Sequence, residues 1–225
     1  MTRNVELGVV TGIRGNHRHA VISCSGEAAR SGAVPRWLRR DAVFAVSGFI
    51  MRLDRHWQAL LEQGQGLVVT VGILHTNPTE HAMSRVPGLV SFALEYRSES
   101  SELLADFETL ARSEAQGIER LRGVTFAVSD SLAAAPATMT PALVHLLDSV
   151  CGELPASHEG IPSGAGHDAV VFANSGRPAG MLFVRIENGS HNTNTPEPDR
   201  RRGSLQRYRH RSVLARRGGL YTRLD

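Results

Sequence analysis

The sequence contains no lysine, two cysteines and no long apolar run in its 225 residues. A membrane-spanning helix needs about 20 consecutive apolar residues, so the sequence predicts none. The first residues, MTRNVELGVV, lack the charged-then-apolar order of a signal peptide, and we therefore expect a cytoplasmic protein. Cys24 and Cys151 lie far apart in apolar stretches, outside any CxxC or Cys/His cluster. Their placement favours buried free thiols over a disulfide or a metal site.

The C-terminal tail is nearly without acidic residues. Residues 200–225 contain nine arginines and one acid, Asp225, which gives them a net charge of +8. Residues 1–199 therefore carry −5, and the pI near 9.4 comes from the tail. Segment 192–225 has no convincing periodicity, so we expect an irregular, arginine-rich tail. Such a tail can bind nucleic acid by counterion release, but no recognition motif accompanies it, so this function is the least favoured.

The first part of the sequence alternates between strand and helix patterns. Apolar and β-branched residues predict strands at HAVISCSG, LVVTVGILH, LVSFALEYRS and VTFAVS. A helix follows the first strand, and its apolar face repeats at steps of three and four: Val43, Val46, Ile50, Leu53, Trp57 and Leu60. A second helix begins at the cap-like SESSELL and ends at Gly123. The order β-α-β-β-α-β predicts one four-stranded antiparallel sheet with both helices on one face.

The pattern changes after Pro136. TPALVHLLDSVCGEL predicts an amphipathic helix, Gly160–Asp168 a loop, DAVVFANSG a short helix and AGMLFVRIE a strand. These pieces are too few to close a core, so we expect their exposed faces to need further strands.

Three segments carry a family resemblance. They are GVVTGIRGNHRHAVISCSGEAARSGAVPRWLRRDA (Gly8–Ala42), RVPGLVSFALEYRS (Arg85–Ser98), and IPSGAGHDA with the following GMLFV (Ile161–Val184). In order and spacing, over about residues 6–191, they resemble N-carbamoyl-L-amino-acid amidohydrolases and allantoate amidohydrolases. These enzymes form the zinc-dependent hydantoinase/carbamoylase family of the aminoacylase and carboxypeptidase superfamily.

The resemblance implies an α+β fold with two parts. A β-α-β-β-α-β lid/dimerisation domain would occupy residues 16–131 and join two copies into a homodimer. The C-terminal portion of an α/β metallohydrolase catalytic domain would occupy 132–191, entered through a connecting strand at 1–15. The family's N-terminal catalytic segment has no counterpart in the sequence, which leaves open a truncated chain or one that a separate polypeptide completes.

The family uses two divalent metal ions, zinc or manganese, to activate a water molecule. Its ligands and general base are a histidine, a bridging aspartate, a Glu-Glu pair and another histidine, none of which has a counterpart here. His191 resembles the last metal ligand of the family, but Thr195 stands where a glutamate is expected four residues later. One imidazole cannot hold two ions, so we expect this chain alone to bind no metal cofactor.

The resemblance also implies a set of substrate contacts. Arg30 stands where the family has a lid histidine that polarises the scissile carbonyl across the dimer, and a guanidinium can still stabilise an oxyanion. Ser84 stands at an asparagine position, and Arg97 matches the arginine that binds the substrate carboxylate bidentately. The loop of Gly164, Ala165 and Gly166 would bring backbone N–H groups to the same carboxylate, while His167 is expected to be structural.

Three function classes follow. The first is a diverged or partial hydrolase of N-carbamoyl-L-amino acids or allantoate-like ureido acids, either inactive alone or completed by a second polypeptide. The second is a dimerisation or carboxylate-binding module without catalysis, which needs Arg97 and the glycine loop but no metal. The third is a basic protein associated with nucleic acid, supported by the tail alone.

Overall fold

The computed structural model describes residues 5–129 and 131–185, and the backbone alone of 212–216 and 219–220. His191 and most of the predicted 192–225 tail lie outside these residues. The chain divides into two compact units, which are Gly15–Ala135 and the residues on either side of it. We refer to them as the inner unit and the outer unit.

The described residues form helices α1 (Ala42–Glu62), α2 (Ser101–Arg122), α3 (Pro141–Gly152) and α4 (Ala169–Asn174). The strands, in chain order, are β1 (Leu7–Ile13), β2 (Gly15–Ser25), β3 (Ala29–Arg30), β4 (Leu67–Thr76), β5 (Arg85–Val86), β6 (Leu89–Ser98), β7 (Thr125–Val128), β8 (Ser131–Ala134), β9 (Ala137–Thr138), β10 (His158–Ser163), β11 (Ala179–Val184), β12 (Ser212–Arg216) and β13 (Gly219–Leu220). Short 3-10 turns lie at Arg36–Leu38 and Pro78–Glu80. None of the helices in the described part combines the length and hydropathy that crossing a bilayer requires.

The inner unit is an antiparallel sheet of order β4-β6-β2-β7, with β8 also pairing with β2. Together with α1 and α2, it confirms the predicted mixed α/β fold with antiparallel sheets. The sheet unit runs from Gly15 to Ala135, whereas the predicted lid covered 16–131. The difference at its C-terminal end is β8, whose four residues pair with the N-terminal half of β2.

Strand β6 has the predicted alternation. Its helix-facing residues are Val90, Phe92, Leu94 and Tyr96, each at most 2% exposed, and they alternate with half-buried residues on the other face. Both neighbours of β6 contain one extra residue, in β2 between His19 and Ile22 and in β4 between Thr70 and Ile73. Such bulges bend a strand and change which face its later residues occupy. The bulge in β2 allows both His19 and Ile22 to point toward the helices.

Both long helices begin and end at residues that satisfy their terminal backbone groups. The carboxylate of Asp41 accepts the N–H groups of Val43 and Phe44 at 3.0 Å, and so caps α1. Ser100 caps α2 by accepting the Leu103 N–H at 3.1 Å. Gly123 ends α2 in the left-handed region at φ 65°, where a side chain would be strained.

The apolar faces of α1 and α2 form the core of the inner unit on β6 and β2. Phe49 of α1 contacts both Phe92 and Phe126, with ring centroids 5.9 and 5.4 Å apart. Leu53 and Phe107 are at most 2% exposed beside them. The two cysteines are buried and free, as expected, and burial raises the pKa of the Cys24 thiol to about 12.

A half-buried carboxylate at the edge of this core links α2 to the sheet, in a group that we call the Glu108 cluster. Glu108 accepts hydrogen bonds from the Tyr96 hydroxyl and the His19 Nε2, the latter at 2.8 Å, and pairs with Arg112 at 2.5 Å. His17 lies 3.3 Å from the Tyr96 hydroxyl through its Nδ1. Burial alone would raise the pKa of Glu108, but the hydrogen bonds from Tyr96 and His19 outweigh it and lower that pKa.

The outer unit is built on β1, which pairs with β10 in parallel and with β11 and β9 antiparallel. The predicted Gly160–Asp168 loop is wrong for its first four residues, because Gly160–Ser163 belong to β10. Gly160 and Pro162 interrupt any apolar alternation there, and the pairing that forms the strand is with residues about 150 positions earlier. Helices α3 and α4 leave apolar side chains exposed at Leu146, Val150 and Val171.

The Glu108 cluster makes a prediction for stability. Glu108→Gln should lower the free energy of unfolding by about 2 kcal/mol at pH 7, because it weakens charge-assisted hydrogen bonds in a buried position. Since the folded pKa is lowered, the carboxylate stabilises the fold above its ordinary value of 4.5, and this contribution is lost as pH falls below it. Urea unfolding of both proteins between pH 3 and 7 measures the difference.

The matched control is Glu99→Gln, which changes an exposed carboxyl in the loop before α2. It should change the free energy of unfolding by less than about 0.5 kcal/mol. A Glu108→Gln penalty that is equal at pH 3 and pH 7 would show that the carboxylate charge is not what stabilises the cluster.

Candidate functional site

Arg97 lies on the face of the sheet opposite the helices, where the alternation of β6 places it. Its Nη2 donates to both carboxylate oxygens of Glu95, at 2.9 and 3.0 Å. Arg18, on the neighbouring strand, donates its Nε to Glu95 Oε1 at 2.5 Å. Burial would raise the pKa of Glu95, but the hydrogen bonds from Arg18 and Arg97 lower it overall. Glu95 is therefore charged at neutral pH and holds the Arg97 guanidinium, which is 21% exposed.

Arg30 and Ser84 come together at the other end of the sheet. β3 pairs with β5 so that Arg30 lies opposite Arg85, and the Ser31 N–H donates to the Ser84 carbonyl at 2.8 Å. Together with Ala28 and Ala29 they line a shallow depression of about 300 Å³. Arg85 pairs with Glu80 at 3.5 Å, whereas Arg30 has no carboxylate within 4 Å among the described residues. The structure therefore brings Arg30 and Ser84 together, and the roles expected for them in substrate binding stay predictions.

The two ends of the sheet are too far apart to contact one small molecule. β6 runs from Leu89, next to the β5 end, to Arg97 near its other end. At about 3.3 Å per residue, this separation is roughly 26 Å. A single copy of the inner unit therefore does not bring Arg97 and Arg30 onto the same substrate.

The glycine loop lies in the outer unit, directly after β10. Ser163 is fully buried, and its Oγ donates to the Ala165 carbonyl at 2.9 Å and accepts the Ala165 N–H at 3.3 Å. The His167 ring packs on Phe183, with centroids 5.5 Å apart, which fits the structural role expected for it. A side chain added at Gly164 or Gly166 would meet no atom within 4 Å, and neither residue has a positive φ. The fold itself therefore does not require glycine at these two positions.

The described residues do not fit the two-metal site that the resemblance implies. No group of three or more histidine, cysteine, aspartate or glutamate side chains comes together to hold a metal ion in 5–129 or 131–185. His191, the one remaining candidate ligand, lies outside the described residues. No step through a metal can be assigned to the residues that the structure describes.

Sequence reasoning missed the partners of Arg97. Glu95 is two residues earlier on the same strand, so the period of a β-strand already places it on the same face. Arg18 was not predictable in this way, because its position depends on the register in which β2 pairs with β6.

Comparisons with known proteins agree on one group of enzymes. No protein-family model matches the sequence. The allantoate amidohydrolase of Escherichia coli is 29% identical over 188 residues, and the N-carbamoyl-L-amino-acid amidohydrolase of Paenarthrobacter aurescens is 31% identical over 183. These alignments cover 83% and 80% of this chain, but 44% and 42% of the relatives. The chain thus spans less than half the length of the curated relatives it matches.

Solved structures give the same result. A hydantoinase/carbamoylase family amidase from Burkholderia multivorans superposes with a TM-score of 0.72 at 28% identity, over 79% of this chain and 42% of that one. A second amidase of this family, from Burkholderia phymatum, has a TM-score of 0.69 at 31% identity, over 80% and 44% of the two chains. The backbone of the described units is therefore that of part of such an amidase.

The open space around the glycine loop leads to a prediction for the effect of substitutions there on stability. Gly164→Ala and Gly166→Ala should each change the free energy of unfolding by less than about 0.5 kcal/mol, since the new methyl groups meet nothing. The matched control is Gly88→Ala, whose methyl would lie 2.7 Å from the backbone nitrogen of Ala28 and should cost about 1–3 kcal/mol. Thermal or urea unfolding measures all three. A large loss at Gly164 or Gly166 would mean that the loop is packed more closely than the structure describes.

Proposed function

Because this chain is a relative of the allantoate and N-carbamoyl-L-amino-acid amidohydrolases, we propose that it is the substrate-holding and dimerising part of such a hydrolase. Its substrate would be a ureido acid, meaning a small molecule with a carboxylate and a carbamoyl or ureido group. The observation that carries this proposal is the restrained guanidinium of Arg97 on the face of the sheet opposite the helices.

Arg97 is suited to bind the carboxylate of such a substrate. A guanidinium carries five N–H donors in a planar fork, enough to contact Glu95 and a ligand carboxylate together. Glu95 fixes the plane of the fork, and Arg18 keeps Glu95 ionised beside it. An arginine held in this way loses less rotamer freedom on binding, so more of the charge-assisted interaction appears as affinity.

Arg30 and Ser84 would act on a substrate held by a second copy of the chain. Because β6 spans about 26 Å between Leu89, at its β5 end, and Arg97, we propose that both groups serve one substrate only across a dimer. Arg30, a fixed cation without an acidic neighbour in the described part, would stabilise negative charge that develops on the carbonyl oxygen. Ser84 would donate a hydrogen bond beside it.

The inner unit has an edge that could form such a dimer. β4 pairs with β6 on one side, and no strand of the described chain pairs with its other side. Ile73 and Leu74 are 58% and 56% exposed on this ten-residue strand. A long, apolar, unpaired edge strand favours pairing with another chain, and a two-fold axis between identical edges satisfies both. We propose that the lid role and the homodimer rest on this edge.

Hydrolysis would need groups that the described residues do not provide. Attack on a ureido carbonyl requires a strong nucleophile, which the family obtains by lowering the pKa of a metal-bound water. No metal-binding group is present in the described residues, so we propose that catalysis depends on the part of the relatives' length that this chain does not match.

A carboxylate-binding or dimerisation module without catalysis is the second candidate. The observation that favours it is the same lack of a metal-ligand cluster in the described residues, next to an intact Glu95–Arg97 pair. It would bind ureido acids but turn over none. Nucleic-acid binding by the tail ranks last, because no recognition motif accompanies the arginines of residues 200–225.

The first test is hydrolysis. Ammonia release from N-carbamoyl-L-amino acids and allantoate, with added manganese, should be absent for this chain alone. It should appear when the unmatched part of a relative's length is supplied as a second polypeptide. In that mixture Arg97→Gln should raise KM about tenfold or more, because it removes a bidentate charged contact. The matched control is Arg55→Gln, an exposed arginine on α1, which should leave KM unchanged.

The outcomes separate the two candidates. Turnover by this chain alone would contradict the need for a second segment. Calorimetric binding of the ureido acid, lost in Arg97→Gln but without turnover in any mixture, would favour the non-catalytic module. No binding in either protein would contradict both.

The second test is the oligomeric state. Light scattering of the full chain should give twice its mass of 24.4 kDa. Ile73→Arg, which puts like charges beside a two-fold edge, should shift the chain toward a monomer. Leu132→Arg is the control, since Leu132 is 70% exposed on β8, away from β4. A monomer at high concentration, or equal effects of both changes, would contradict dimerisation through β4.

A further inference from the structure

A second cationic site lies on the inner unit, apart from Arg97 and Arg30. The 3-10 turn at Arg36–Leu38 and the C-terminal end of α2 enclose a cavity of about 520 Å³. This volume is within the range of small-molecule sites, which is roughly 300–1,000 Å³. Its lining includes four arginines and no acidic residue: Arg36, Arg39, Arg40 and Arg122, with Trp37 and Leu121 between them.

None of these four arginines forms an ion pair with a carboxylate of residues 5–129 or 131–185. No carboxylate lies within 4 Å of any of the four in the described part of the chain. One of them has a structural use, since Arg39 donates to the carbonyls of Val34 and Ser31. Arg122 lies over the Phe44 ring at 5.9 Å, and its Nε is buried without a hydrogen-bond partner. Like charges gathered in a concave site raise the local positive potential, which an anion relieves.

The C-terminal end of α2 explains the positions of only some of these arginines. Cations are favourable at the C-terminal end of a helix, so Arg122 and the nearby Arg40 have a local reason to be there. Arg36 belongs to the turn before α1 and has no such reason. Trp37, beside it, is 83% exposed although it is the largest apolar side chain available for burial.

The chemistry of the lining selects the ligand. Guanidinium groups bind phosphate oxygens bidentately, and an exposed indole offers a face on which a planar ring can stack. A ligand that uses both must join phosphates to an aromatic ring, and the cavity volume suits one such unit. We infer that the cavity of Arg36, Trp37, Arg40 and Arg122 binds a nucleoside diphosphate, with its phosphates on the arginines and its base on Trp37. This inference does not depend on the proposed amidohydrolase function.

Calorimetry of the full chain with ADP, inorganic pyrophosphate and adenosine tests this inference. It should be done at about 150 mM salt to screen long-range attraction to the arginine-rich tail. We expect saturable binding of ADP, weaker binding of pyrophosphate and no measurable binding of adenosine. Arg36→Gln and Arg122→Gln should each raise the Kd for ADP about tenfold, the loss of one charged hydrogen bond. Trp37→Ala should raise the Kd for ADP by a similar factor but leave that for pyrophosphate unchanged.

The control variant is Arg55→Gln, an exposed arginine outside the cavity. It removes the same charge and should change the Kd for ADP less than twofold. Circular dichroism verifies that each variant is folded, and Arg36, on an exposed turn, is the change least able to disturb the fold. Equal losses in Arg55→Gln and Arg36→Gln would overturn the inference, as would no saturable ADP binding. Displacement of ADP by polyglutamate at equal charge concentration would also overturn it, because the site would then attract any polyanion.

Discussion

The pleat of β6 determines the positions of the polar networks around Glu95 and Glu108 in the inner unit. Tyr96 is fully buried against the helices, and in a β-strand its two neighbours must then point to the opposite face. Those neighbours are Glu95 and Arg97. The burial of one aromatic side chain therefore exposes the guanidinium on which the proposed substrate contact depends. A slip of β6 by one residue would bury Glu95 and Arg97 and expose the core.

The carboxylates of Glu108 and Glu95, on opposite faces of the sheet at β6, have different roles. Glu108, on the helix side, accepts from Tyr96 and His19, which are both buried, so its hydrogen bonds stabilise the packing of α2 on the sheet. Glu95, on the other side, has two arginines and partial access to water. Exposed ion pairs contribute little to stability, so the network around Glu95 matters for the orientation of Arg97 more than for the fold. The pKa of each carboxyl is lowered, yet only the first is expected to affect unfolding strongly.

Local signals in the sequence were enough to predict α1, α2 and β6. Val46 and Leu53 repeat at helical spacing, Gly123 stops a helix, and β6 alternates without a break, so each element carries its own pattern. β10 carries none, because its strand conformation comes from parallel pairing with β1. The two-residue pair of β3 and β5 is likewise formed by contacts between distant segments. Arg97 could be selected as a candidate through family resemblance, whereas the cavity at Trp37 joins a turn to Arg122 at a helix end and has no motif.

The paired bulges in β2 and β4 have a consequence for how this sheet can change over evolution. Each bulge lies beside the same part of β6, between its residues 92 and 95, and in each neighbour it reverses which residues face the helices. Deletion of either extra residue would therefore move the side chains in half of that strand to the opposite face of the sheet. Substitutions on the two sides of a bulge, by contrast, remain independent of each other. Beyond the bulge of β2, Ile22 and Cys24 are 4% and 0% exposed in the core, and the extra residue is what turns them toward the helices. The number of residues in β2, as well as their hydrophobicity, therefore determines which side chains reach the core.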